Sequence, residues 1–285
     1  MALAHNLGFP HIGGDRELRA RHWQVQKDAG IELLPVGETG QCGQLPGTDD
    51  QPFALNWEPL FEEVEHANAL GHAIKPVVIG PLTYLWQGQA RNADFDKLEL
   101  LDRLLPLYDQ ALNRLAALGV EWVQIDEPIL AHDLPQDWKN AFERVYNILQ
   151  RAPLKKLIAT YAGGLDGNLG LAANLPVDGL HIDLVQAPAQ YQAILDRLPA
   201  YKVLSLGLVD GVQCALVQQD HPMMLGFRTF LGRTVDDNPA NRHGALINVD
   251  ILPFQAHCFA RADPSEEAKL EERCVDLRVF LERRI

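Results

Sequence analysis

The chain has 285 residues, 47% of them hydrophobic and 22% charged, enough to build one large core or two small ones. Its 25 Lys and Arg stand against 38 Asp and Glu, a formal charge of −13, and no basic run is long enough to follow a phosphate backbone, which argues against nucleic acid as a partner. The opening MALAHNLGFPHIGG has no basic stretch leading into an apolar core, and no run approaches the roughly 18 apolar residues of a membrane span. The expectation is a cytoplasmic globular protein with no membrane partner.

Short β-rich apolar runs alternate with longer segments of helical period, the pattern of βα units on a parallel sheet. In chain order the predicted elements are strand 5–9, helix 16–29, strand 31–36 (IELLPV), helix 57–70, strand 74–79, helix 95–118, strand 120–125, helix 136–150, strand 155–160, helix 168–174, strand 179–184, helix 188–198, strand 202–207, helix 221–231 and strand 245–250. A last helix follows. Asp263 suits its N-cap, Pro264 its first position and Glu266 a capping box, while Leu270, Cys274, Leu277 and Leu281 mark its apolar stripe. Eight such units, in a chain somewhat above the usual length of about 250 residues, predict an α/β fold made of a single (β/α)8 TIM barrel over residues 1–285. Residues 37–56 are dominated by turn chemistry, and 212–243 read as irregular. Cys42, Cys214, Cys258 and Cys274 lie far apart with no C-x-x-C pair, which points to reduced thiols rather than a zinc ribbon or a disulfide frame.

GVEWVQIDEPIL (119–130) is an apolar strand that ends on two acids and a proline. Active-site residues of such barrels sit at the C-terminal ends of strands, so Asp126 and Glu127 are rim candidates, with Pro128 holding Glu127 extended. Solvating a loop or capping the next helix is the other use of such acids. His181 and Asp183 share one strand face by period-two spacing and are two further rim candidates. Two ligands fall short of the three or so that a metal normally needs. His257 and Cys258 are adjacent and point to opposite sides of an extended segment, so no metal site is expected in this chain.

LGFPHIGGDRELR (7–19), AGIELLPVGE (29–38), ALGHAIKPVVIGPLTYLW (69–86), GVEWVQIDEP (119–128), VDGLHIDLV (177–185) and LPAYKVLSLGLVDG (198–211) resemble, in order, the N-terminal half of cobalamin-independent methionine synthase. That family moves a methyl group from a polyglutamylated methyl-folate to homocysteine, using two fused barrels with the zinc in the C-terminal one. The likeness thins after about residue 211, and the chain has the length of one barrel. Its fifth strand, LIATYAGGL (157–165), has no His or Cys where the zinc-bearing barrel has an H-x-C pair, and INVDILPF (247–254) offers no thiol. The resemblance therefore implies no cofactor in this chain and no catalytic residue of the methyl transfer.

The resemblance implies that Arg16, Glu17, Leu18 and Arg19 match the family's tail-binding R-E-L-K, with Arg for Lys at the end. His11 stands where the family usually has Arg, and a block between VGE and QPFALNW is missing. Three functional readings follow. One is a non-catalytic half that binds the polyglutamate tail of a methyl-folate, with a separate zinc-bearing barrel chain as a partner. Another is an independent acid–base enzyme using rim carboxylates Asp126, Glu127, Asp183 and Asp250, which needs one raised and one ionised carboxyl. The last is a scaffold protein without substrate.

Overall fold

The computed structural model describes residues 3–8, 16–37, 45, 53, 55–89, 96–161, 163–208 and 245–248. Within them run β1 (Leu3–His5), α1 (Arg16–Asp28), β2 (Leu34–Val36), α2 (Glu58–Ala69), β3 (Ile74–Ile79), α3 (Pro81–Gln87), α4 (Leu101–Ala117), β4 (Trp122–Asp126), α5 (Gln136–Leu149), β5 (Lys155–Ala159), α6 (Leu169–Asn174), β6 (Gly179–Asp183), α7 (Gln190–Arg197), β7 (Val203–Gly207) and β8 (Ala245–Asn248). The expected helix 221–231, the closing helix and the irregular 212–243 lie outside the described residues, as do all four cysteines. No helix among the described residues is long and apolar enough to cross a membrane.

The strands form one parallel sheet in the order β1-β8-β7-β6-β5-β4-β3-β2. It closes on itself where His5 bridges Leu33 in parallel and the Glu32 and Leu33 amides donate to the Ala4 carbonyl at 2.9 and 3.3 Å. The expected (β/α)8 barrel is therefore the observed one. Strands enclosed between a barrel interior and a helix layer are buried on both faces, which is why β3 and β6 are buried at every residue. The helices supply the outer layer through apolar stripes at helical spacing. Leu101, Leu104, Leu105, Tyr108, Leu112 and Leu115 do so on α4, and Phe142, Val145, Tyr146 and Leu149 on α5.

Two elements differ from expectation. β1 ends at His5 instead of running on to residue 9, because Asn6 turns its side chain to Gln26 of α1 at 2.6 Å and gives its carbonyl to Lys75 at 3.1 Å, leaving the ladder. α3 has no counterpart among the predicted helices. Pro81, Leu82, Thr83, Tyr84 and Leu85 are all buried, so the segment has no polar face to give it a helical period.

Candidate active site at the barrel mouth

Period-two alternation sends a row of polar side chains into the barrel: Lys75 from β3, Gln124 and Asp126 from β4, His181 and Asp183 from β6, Ser205 from β7 and His5 from β1, all buried. A lysine with no exposed surface needs acceptors, and Lys75 donates its ammonium to the Asn6 carbonyl and to Gln124 Oε1. Gln124 turns its amide nitrogen to the Leu7 carbonyl and to Asp126 Oδ1, both at 2.6 Å. Gln124 thus links a buried cation to a buried anion. Asp126 ends β4 at the C-terminal mouth of the barrel, and its other oxygen accepts from the hydroxyl of half-buried Tyr161 at 3.1 Å.

The neighbouring acid does different work. Glu127 was expected on the open rim, yet it is fully buried and faces the helix layer, because alternation sends it away from Asp126. Its carboxylate caps α3. It accepts from the Leu82 and Thr83 amides at 3.3 and 2.8 Å, from the Thr83 hydroxyl at 2.5 Å and from Tyr146 of α5 at 2.9 Å. Burial pushes this carboxyl up to about 7, against the pull of those donors. A Cβ at residue 80 would collide with the Glu127 carboxylate, so glycine there leaves room for it.

The other candidates separate in the same way. Asp183 closes loops: Oδ1 accepts from the Val185 and Gln186 amides at 2.9 and 3.0 Å, and Oδ2 from Gly163 at 3.2 Å. His181 was expected at the rim and lies one layer below it. Its Nδ1 is 2.7 Å from Ser205 Oγ, and the same hydroxyl lies 2.8 Å from His5 Nε2. Burial, with the nearby Lys75 charge, lowers His181 to about 3 and His5 well below the usual histidine value, so both rings are neutral. Arg16 opens α1 on the mouth side and is exposed beside Glu17, while Leu18 and Arg19 are half-buried. Arg19 pairs with Glu63 of α2 at 3.5 Å, and Glu63 also receives the Gly37 amide at 3.2 Å.

Sequence reasoning did not single out His5, Lys75, Gln124, Tyr161 or Ser205. Lys75 and Gln124 carried a usable signal, a polar residue at an inward position of an otherwise apolar strand. Among the described residues no group of three or more His, Cys, Asp or Glu is placed to hold a metal. A groove of about 550 Å³ lined by Lys155, Asp178 and Tyr201 lies at the opposite, N-terminal end of the strands, away from the polar row.

The family model described as the cobalamin-independent synthase, N-terminal domain, matches residues 45–231. The chain belongs to that family. Among solved structures this barrel is similar to a B12-independent methionine synthase from Shewanella sp. W3-18-1 in complex with selenomethionine, with 13% identity over 98% of this chain and 97% of that one, at a TM-score of 0.64. A methyltransferase from Methanosarcina mazei matches at 12% identity over 97% and 88% of the two chains, with a TM-score of 0.59. At these identities the likeness is one of fold.

Proposed function

We propose that the chain is a methyl-folate-binding barrel of its family that performs no methyl transfer alone. Asp126 carries this reading. It is a carboxylate at a strand end in the mouth, where Gln124 donates to one oxygen and Tyr161 to the other. Such a group suits a ligand edge rich in N–H donors. Arg16 and Arg19, at the start of the helix that follows β1, then serve the anionic tail, with Arg19 divided between the tail and Glu63. An acid–base enzyme is the weaker reading, because Glu127, whose carboxyl is raised to about 7, faces α3 and α5 rather than the mouth. A separate chain bearing zinc and thiols remains the partner this reading asks for.

Calorimetric titration with mono- and triglutamate forms of methyl-folate, on wild type and Asp126→Asn, tests it. Binding that favours the triglutamate and weakens about tenfold in the variant supports the proposal. No binding of either form by wild type overturns it.

A further inference from the structure

Two helix faces meet along the groove between α1 and α2. Arg16, Arg19 and Trp23 stand at i, i+3 and i+7 on α1, and Glu63 and His66 at i and i+3 on α2, so each set shares one face of its helix. Two contacts lay the faces together. Arg19 reaches Glu63 at 3.5 Å, and the rings of Trp23 and His66 meet edge-on with centroids 5.4 Å apart. Both helices follow their strands and run away from the mouth, so His66 lies one rung beyond Arg19, roughly 4.5 Å further along the helix axis as three residues of helix require. Trp23 is buried beneath them, while Arg19 and His66 are half-buried and Arg16 is exposed.

His66 is held neutral by these surroundings. Its Nδ1 is buried without a hydrogen-bond partner, so the neutral ring carries its hydrogen on Nε2, and a second hydrogen on Nδ1 would be stranded. Burial, with the charges of Arg16 and Arg19 on α1 and of His72 beyond α2, lowers it below the usual histidine value. His72 meets the same Trp23 ring at 6.2 Å and is itself lowered by burial and by Lys27. On α2, Glu62 and Glu63 stand one turn before His66, and Glu63 is engaged by Arg19. Glu17, Glu62 and Glu63 thus offset Arg16 and Arg19, so a polyanion entering this groove gains from one more positive charge.

We propose that His66 is a proton-linked anion-binding residue of the α1–α2 groove: a polyglutamate tail that passes Arg16 and Arg19 reaches the His66 Nε2–H and draws a second proton onto the ring. Linkage requires the converse, so acid strengthens the binding of long tails. The free ring has the lower pKa and the tail-bound ring the higher. The gain is therefore complete below the pKa of the free ring, itself under the usual 6.5, and is lost as pH rises through that of the bound one. This role rests on the tail reading of Arg16 and Arg19, and the experiments separate the two.

Calorimetry of methyl-folate mono- and triglutamate in two buffers of different ionisation enthalpy reads the proton. Spectra of histidine-labelled protein read the ring, with His66→Gln identifying its signal. Triglutamate should bind with more net proton uptake than monoglutamate and should move the His66 titration to higher pH. The preference of wild type for triglutamate should rise about two- to fivefold between about pH 8 and about pH 6. In His66→Gln the extra uptake and that rise should both vanish while triglutamate is still preferred.

Triglutamate preferred by wild type with the His66 titration unmoved overturns the inference and spares the tail reading. Equal proton uptake with the two ligands places the proton elsewhere and also overturns it. No binding, or no preference for triglutamate at either pH, overturns both.

Discussion

Glu127 and Thr83 are joined twice, the same carboxylate oxygen accepting the Thr83 amide at 2.8 Å and its hydroxyl at 2.5 Å. This fastens the start of α3 to the end of β4, beside the mouth. Burial raises the Glu127 carboxyl to about 7 from an ordinary 4.5, so the folded state holds the proton more tightly than the unfolded chain. Its contribution to stability is therefore greatest below about pH 4.5 and falls as pH rises to about 7, by about 3 kcal/mol in all. Glu127→Gln has no proton to lose. Urea midpoints across that window should fall more steeply for wild type than for Glu127→Gln, and parallel profiles would contradict the assignment.

Gly80→Ala tests the same junction sterically. The added methyl meets the Glu127 carboxylate, which cannot withdraw without abandoning its donors on α3. A loss of about 1–3 kcal/mol in chemical denaturation is expected, against no loss or a small gain for Gly170→Ala, inside α6 where a Cβ meets nothing within 4 Å.

The Lys75–Gln124–Asp126 line predicts non-additive behaviour. Gln124→Met removes an acceptor from a buried ammonium and a donor from a buried carboxylate, and should cost about 2–4 kcal/mol. Adding Lys75→Met removes the stranded charge, so the double variant should be more stable than the sum of the single losses predicts. Simple additivity in urea denaturation would place Lys75 and Gln124 in separate environments.

Much of the barrel was legible because parallel strands covered on both faces read as apolar runs, and seven of the eight fell close to their predicted places. β1 was misplaced because the bonds that end it run from Asn6 to α1 and β3, which sequence spacing does not reveal. Asp126 was legible from its place at a strand end. The task of Glu127 was not, since the helix it caps has no polar face to betray it. Nor was the His5–Ser205 contact, which joins residues 200 positions apart and exists only because β8 draws β7 and β1 to its two sides.

Arg19 is shared between Glu63 and the proposed tail site, which gives a paired test. Arg19→Ala should reduce the preference for triglutamate over monoglutamate about two- to fivefold, as befits a partly exposed ionic contact. Glu63→Gln weakens this ion pair and should raise that preference at low salt, the gain fading as ionic strength rises. Identical preferences in both variants would remove Arg19 from the site.

The most direct measurement of the central claim is the calorimetric titration of wild type and Asp126→Asn with methyl-folate triglutamate at low salt. Saturable binding that weakens about tenfold when the Asp126 carboxylate becomes an amide is the predicted result. No heat of binding in wild type, or equal affinity in the two proteins, would contradict it.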